Sequence, residues 1–148
     1  MCDGVVPEAS ERAEETAPDP QVVIFMFGDN DVRKGGIPED ILSDFVEALD
    51  QLTAIPYCRV VLCSLVPSYG RYDETKEEFK RLNNHLRILC NGNPKATFCD
   101  FTRQLFKDRL TLDGSLYHDD VHLNDRGSEI VAKAIFTHLV KLPRIKTP

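Results

Sequence analysis

VVIFMFGDND, residues 22–31, sets six apolar side chains directly against a glycine and three short polar residues. Val22 to Phe27 are rich in β-branched and aromatic types and are bounded by Pro20 and Gly28, which predicts a strand over 22–27. Gly28-Asp29-Asn30-Asp31 then puts a polar loop at the carboxyl end of that strand. Alone it reads as an ordinary turn, because Asp and Asn bond their own backbone and glycine permits the bend. Its meaning depends on what the rest of the chain builds around it.

Downstream, apolar runs and helical periodicities alternate. After Gly35-Gly36, Pro38 suits a first helical turn, with Glu39 and Asp40 beside the positive helix end. Ile41, Leu42, Phe45, Leu49 and Leu52 recur at helical spacing, and Pro56 closes the unit. RVVLCSLV, 59–66, reads as a second buried strand and is followed by the loop PSYGRYD. A helix is expected over about 74–90, with Phe79, Leu82, Leu86 and Leu89 on one side. ATFCDF, 96–101, reads as a third strand, and 102–122 as mostly irregular. A closing helix begins near Asn124, a good N-cap, and carries Ile130, Val131, Ala134, Ile135 and Leu139.

Continuous apolar strands alternating with amphipathic helices predict an α/β fold, a parallel sheet covered by helices. In such sheets ligands bind beyond the carboxyl ends of the strands. The loops after residues 27, 66 and 101 all leave from that edge.

Length and charge set the frame. The 148 residues suffice for one domain, with 42% hydrophobic and 28% charged residues, as in ordinary globular chains. Of the net charge of −6, residues 1–20 hold −5, which makes them an acidic lead-in with little to bury. A domain over 21–143 and a short tail, 144–148, follow. Beyond residue 20 the 18 acidic and 17 basic side chains nearly cancel, leaving no net footprint for nucleic acid. An RNA surface would have to arise by clustering in the fold, and that alternative stays open. No apolar run reaches the roughly 20 residues of a membrane span, and no signal peptide opens the chain. Five cysteines without a CxxC pair fit a reducing compartment, so a cytoplasmic location is expected.

A second stretch changes the weight of the first. In YHDDVHLNDRG, 117–127, Asp119 stands three residues before His122, just ahead of the closing helix. A carboxylate bonded to one imidazole nitrogen fixes the tautomer and leaves the other nitrogen free as a general base. Ester cleavage also develops negative charge on a carbonyl oxygen, which a held amide N–H stabilises. Asn30 can supply that donor, whereas Asp29 and Asp31 cannot.

Gly28-Asp29-Asn30-Asp31 and Asp119-Asp120-Val121-His122, followed by Leu123-Asn124 and Gly127, together resemble the SGNH (GDSL-like) hydrolase superfamily over roughly residues 21–141. The resemblance implies a three-layer α/β/α, flavodoxin-like fold and hydrolysis of a small acyl ester without cofactor or metal. His122 would be the base, Asp119 its orienting partner, and Asn30 the oxyanion donor. Gly28 opens the same block, and Gly4 is a candidate for the family's second oxyanion residue.

The family's Gly-Asp-Ser nucleophile block is absent from these 148 residues. Ser10, Ser64, Ser68 and Ser115 lack its strand-end context. The chain thus reads as an N-terminally truncated or degenerate member, lacking its first strands, inactive or weakly active alone. Strand 22–27 would then be an exposed edge open to self-association. Two other readings compete. One is a non-catalytic binding module for protein or RNA. The other is a metal-dependent phosphoesterase using His118, Asp119 and His122, although the further aspartate and the Gly-Asn-His block that such enzymes need are missing.

Overall fold

A computed structural model describes residues 21–143. The expectations for the acidic lead-in, for Gly4 and for the tail lie outside the described residues. Three strands, β1 (Val22–Phe25), β2 (Arg59–Cys63) and β3 (Ala96–Cys99), form a parallel sheet in the order β1-β2-β3. Four helices alternate with them: α1 (Asp29–Arg33), α2 (Pro38–Thr53), α3 (Tyr72–Asn91) and α4 (Asp125–Val140). The predicted α/β class with a parallel sheet is the observed one.

β2 explains the layering. Successive strand residues point to opposite faces, yet Val60, Val61, Leu62 and Cys63 are all buried, so both faces are covered there. Ile24, Val61 and Thr97 are register partners and share one face, while Phe25, Leu62 and Phe98 share the other. Thr97 bonds His138 of α4, whereas the Arg87 guanidinium of α3 lies over the Phe98 ring. Helices α3 and α4 therefore flank opposite faces.

The helix faces follow from spacing. Ile41, Phe45 and Leu49 of α2 are buried, as are Phe79, Leu82 and Leu86 of α3. Pro38 sits in the first turn of α2, where its missing N–H costs nothing. Phe45 is fully enclosed, its ring stacked on Phe27 at 4.1 Å and edge-on to Phe25 at 5.6 Å. Phe45→Ala is expected to destabilise the domain by about 3–5 kcal/mol, measured by urea unfolding. A change below about 1 kcal/mol would contradict this packing.

The boundaries differ from the sequence reading in five places. β1 ends at Phe25 rather than Phe27, because Phe27 leaves the ladder to stack on Phe45. β2 and β3 end at Cys63 and Cys99, where the chain turns out toward the loops. α3 starts at Tyr72, two residues early, with Tyr72 packed on Phe79. Asp29 to Asp31, read as a loop, form the start of the short helix α1.

β1 is the edge of the sheet among the described residues. On the face shared with α4, Val22, Ile24 and Met26 remain 41%, 46% and 47% exposed, so helix cover stops short of β1 on that side. Cys58, Cys63, Cys90 and Cys99 are all buried as free thiols.

Candidate active site

Gly28 places the first block. Its φ of +107° lies where L side chains rarely go, and a Cβ there would press on Leu65 and Phe45 at 3.0 and 3.2 Å. The chain thus passes tightly over the end of β2 and enters α1, with Gly28 O accepting the Val32 N–H at 3.1 Å. Farther on, the Gly36 N–H reaches Asp31 O at 2.8 Å and closes the segment. Asn30 lies in the first turn of α1 at the carboxyl edge of the sheet; its side chain is outside the described residues.

Asp119 and His122 are joined directly. The two Asp119 carboxylate oxygens lie 2.9 and 3.1 Å from His122 Nδ1. Asp119 Oδ1 also accepts the backbone N–H of Val121 and of His122, each at 2.7 Å. The carboxylate builds the turn that carries the imidazole, then grips its ring. The His122 N–H, first, then the imidazole and the Val121 N–H hold the Asp119 carboxyl well below its ordinary value of 3.8. Both side chains are solvent-facing, 49% exposed for Asp119 and 74% for His122. Nε2 of His122 makes no hydrogen bond among the described residues, so it is open to a reacting group.

A depressed folded-state pKa stabilises the fold above the unfolded value and is lost as pH falls through the folded one. The stability that the Asp119 carboxylate contributes over Asp119→Asn is therefore expected to be fully present at pH 5. It should shrink as pH drops below 3.8. Chemical denaturation across pH 2–5 measures it, and a difference that grows as pH falls through that range would refute the bonding described.

The His122 loop is stitched down from two sides. The Asn124 side chain caps α4 by accepting the Gly127 N–H at 3.0 Å and donates from Nδ2 to Ser115 O at 2.7 Å. Its own N–H reaches Leu116 O at 2.8 Å. A Cβ on Gly127 would overlap that Leu116 oxygen, which is why glycine stands there. On the other side, Asp120 O accepts both the Gly70 N–H at 2.8 Å and the Ser68 hydroxyl at 3.0 Å. The loop after β2 and the loop before α4 are thereby one unit.

Sequence reasoning found Asp119, His122 and the Asn124 cap but missed Ser68 and Gly70. Their partner is 50 residues away, and only glycine inside Pro-Ser-Tyr-Gly hinted at a close approach. Tyr117 is 8% exposed and donates its hydroxyl to Pro67 O at 2.6 Å, which braces the loop after β2. Tyr69 stacks on it from the solvent side at 5.4 Å.

None of the described serines is bonded to His122. Ser64 is buried and accepts the Phe101 N–H, Ser68 is bonded to Asp120 O, and Ser115 to Asp113. No group of three or more His, Cys, Asp or Glu side chains able to hold a metal occurs among the described residues. Nor does any described helix have the length and apolarity to cross a membrane.

Comparison with known proteins bears on the whole arrangement. Residues 5–130 match the model of the GDSL-like Lipase/Acylhydrolase family. The platelet-activating factor acetylhydrolase IB subunit alpha1 of Bos taurus is 26% identical over 125 residues, 83% of this chain and 53% of that protein. The chain thus spans about half the length of the relatives it matches. A lipolytic G-D-S-L family protein of Veillonella parvula superposes with a TM-score of 0.72 at 19% identity, covering 96% of this chain and 76% of the other. The OSK domain of Drosophila Oskar gives 0.71 at 19% identity, covering 90% and 69%. At such identity these structures speak for the fold. With the family model matched over most of its length, this chain belongs to the GDSL-like lipase/acylhydrolase family.

Proposed function

We propose that the protein is an acyl-ester hydrolase in which His122 acts as general base, Asp119 orients it, and Asn30 donates to the oxyanion. Gly28 holds the Asn30 block at the sheet edge, and Gly4 is the proposed second oxyanion N–H. The observation that carries this reading is the Asp119 grip on His122 Nδ1, which leaves Nε2 free to take a proton. In the reaction a serine hydroxyl would attack the ester carbonyl and pass its proton to Nε2. The negative oxygen would lean on the Asn30 amide, and the imidazolium, steadied by Asp119, would protonate the leaving alkoxide. The named relative is an acetylhydrolase, which supports a short acetyl ester as the first substrate to try.

The sequence holds no Gly-Asp-Ser block. The reading is therefore of weak or absent turnover for these 148 residues alone, and of acyl transfer in a protein that also carries that block. The same observation favours one rival, a non-catalytic binding module that keeps the base and its partner without a nucleophile.

Fluorophosphonate labelling, read by intact mass and peptide mapping, separates them. An adduct on one serine that disappears in His122→Ala means a working hydrolase. If neither this chain nor a longer form containing it is labelled or cleaves p-nitrophenyl acetate, the hydrolase reading fails.

A further inference from the structure

Between α3 and the segment after β3 lies a cavity of about 790 Å³, within the range of small-molecule sites. None of its lining residues belongs to the Gly28–Asp31 or Asp119–His122 blocks. Its apolar wall is aromatic: Tyr72 and Phe79 are buried, and the Tyr72 ring lies edge-on to Phe79 at 6.1 Å and to Phe106 at 5.4 Å. Its rim is cationic, with Lys80, Arg103, Lys107 and Arg109 on the lining.

Cations outnumber acids on this lining, with Lys107 alone lying within electrostatic reach of Asp108 and Asp113. Both oxygens of Asp100 are engaged, one by the Arg87 guanidinium at 2.8 Å and the other by the Thr102 N–H at 3.0 Å. Asp108 turns Oδ1 to the N–H groups of Leu110 and Thr111 at 2.8 and 2.9 Å. None of the four rim cations closes an ion pair among the described residues. Because the body beyond residue 20 is almost neutral, this cluster stands out from the chain's average.

Two polar residues also sit on this lining. Asn83 is 8% exposed, and its Oδ1 accepts the Leu65 N–H at 3.0 Å. Thr102 Oγ1 is buried with no hydrogen-bond partner. The segment is also held in shape: Phe106 bridges Leu112, and the Lys107 N–H reaches Thr111 O at 3.0 Å, which fixes the hairpin that displays Lys107 and Arg109.

We propose that this cavity is a second binding site, for a small soluble amphiphile with one anionic head and an apolar tail. The tail lies on Tyr72, Phe79 and Phe106, and the phosphate or carboxylate head meets Arg103, Lys107 and their neighbours on the rim. Aromatic walls alone would take any apolar molecule, and exposed cations alone any anion; their adjacency selects the combination. The site does not depend on the ester-hydrolase reading.

Isothermal titration of the 148-residue chain with dodecyl phosphate, kept below its micelle concentration, tests it. One molecule is expected to bind per chain, with Arg103→Glu/Lys107→Glu weakening it by at least about tenfold. Inorganic phosphate and the neutral dodecyl maltoside should each bind at least about tenfold more weakly than dodecyl phosphate. Both substituted residues are exposed, and an unchanged melting curve checks that the variant is folded. Equal affinity in the variant, or equal binding of either control compound, overturns the proposal. So does binding to phosphatidic-acid vesicles, or to single-stranded RNA, without binding of the monomeric amphiphile.

Discussion

His122→Ala is expected to lower acyl-ester turnover by about 10⁴-fold or more, with little change in thermal stability. The size follows from the chemistry. A serine hydroxyl is a poor nucleophile until a base takes its proton, and the same imidazole must later protonate the leaving group. One substitution removes both steps. The stability part follows from exposure: the His122 side chain is largely in water, and the backbone turn that carries it is built by the Asp119 carboxylate, which remains. Turnover of p-nitrophenyl acetate, together with a thermal melt, measures both. The form to use is whichever shows activity, this chain or a longer one containing it. Loss below about tenfold, in folded protein, would remove His122 from the mechanism.

Gly127→Ala is expected to have the opposite profile, a large loss of stability. The added methyl has no free volume: it would collide with the Leu116 carbonyl oxygen and crowd Leu123 at 3.0 Å. Leu116 O is also where the Asn124 N–H is bonded, so the collision cannot be relieved by moving that carbonyl without breaking the cap. Overpacking against fixed backbone costs about 3 kcal/mol, which should lower Tm by about 10 °C in a domain of this size. Gly92→Ala is the control, since a methyl there meets only ordinary contacts at 3.7 and 3.9 Å. Its expected effect is within about 0.5 kcal/mol of zero. If the two variants melted together, the close approach of the closing helix to residue 116 would be wrong.

Much of this architecture was legible before any coordinates, for local reasons. Phe45 and Leu49, or Phe79, Leu82 and Leu86, declare a helix face by spacing, and the unbroken VVLC of β2 declares burial on both sides. The Asp119–His122 pair was legible because a turn of three residues is itself enough to bring carboxylate and ring together. What could not be read were features decided by distant partners. Phe27 leaves its strand because of Phe45, 18 positions on, and Asp120 O is held by Ser68 and Gly70 from a loop 50 residues earlier. The cationic cavity was hidden for the same reason. Its charges come from two segments, one at Lys80 and one at 103–109, and each alone is unremarkable against an overall balance of 18 acids and 17 bases.

The unequal cover of the three strands has a kinetic consequence. β2 is paired on both sides and sealed on both faces, whereas β1 has one bonded neighbour and an open face among the described residues. Local opening begins where few buried contacts must be broken. Amide protons of Val22 to Phe25 should therefore exchange with deuterium well before those of Val60 to Cys63, through brief excursions that leave most of the domain closed. Gly28 and Asn30 hang from β1, while Asp119 and His122 hang from the loop anchored through Ser68, Gly70 and Leu116. The proposed oxyanion side of the site would come and go on its own clock, and whatever clamps β1 would set how often the two halves meet.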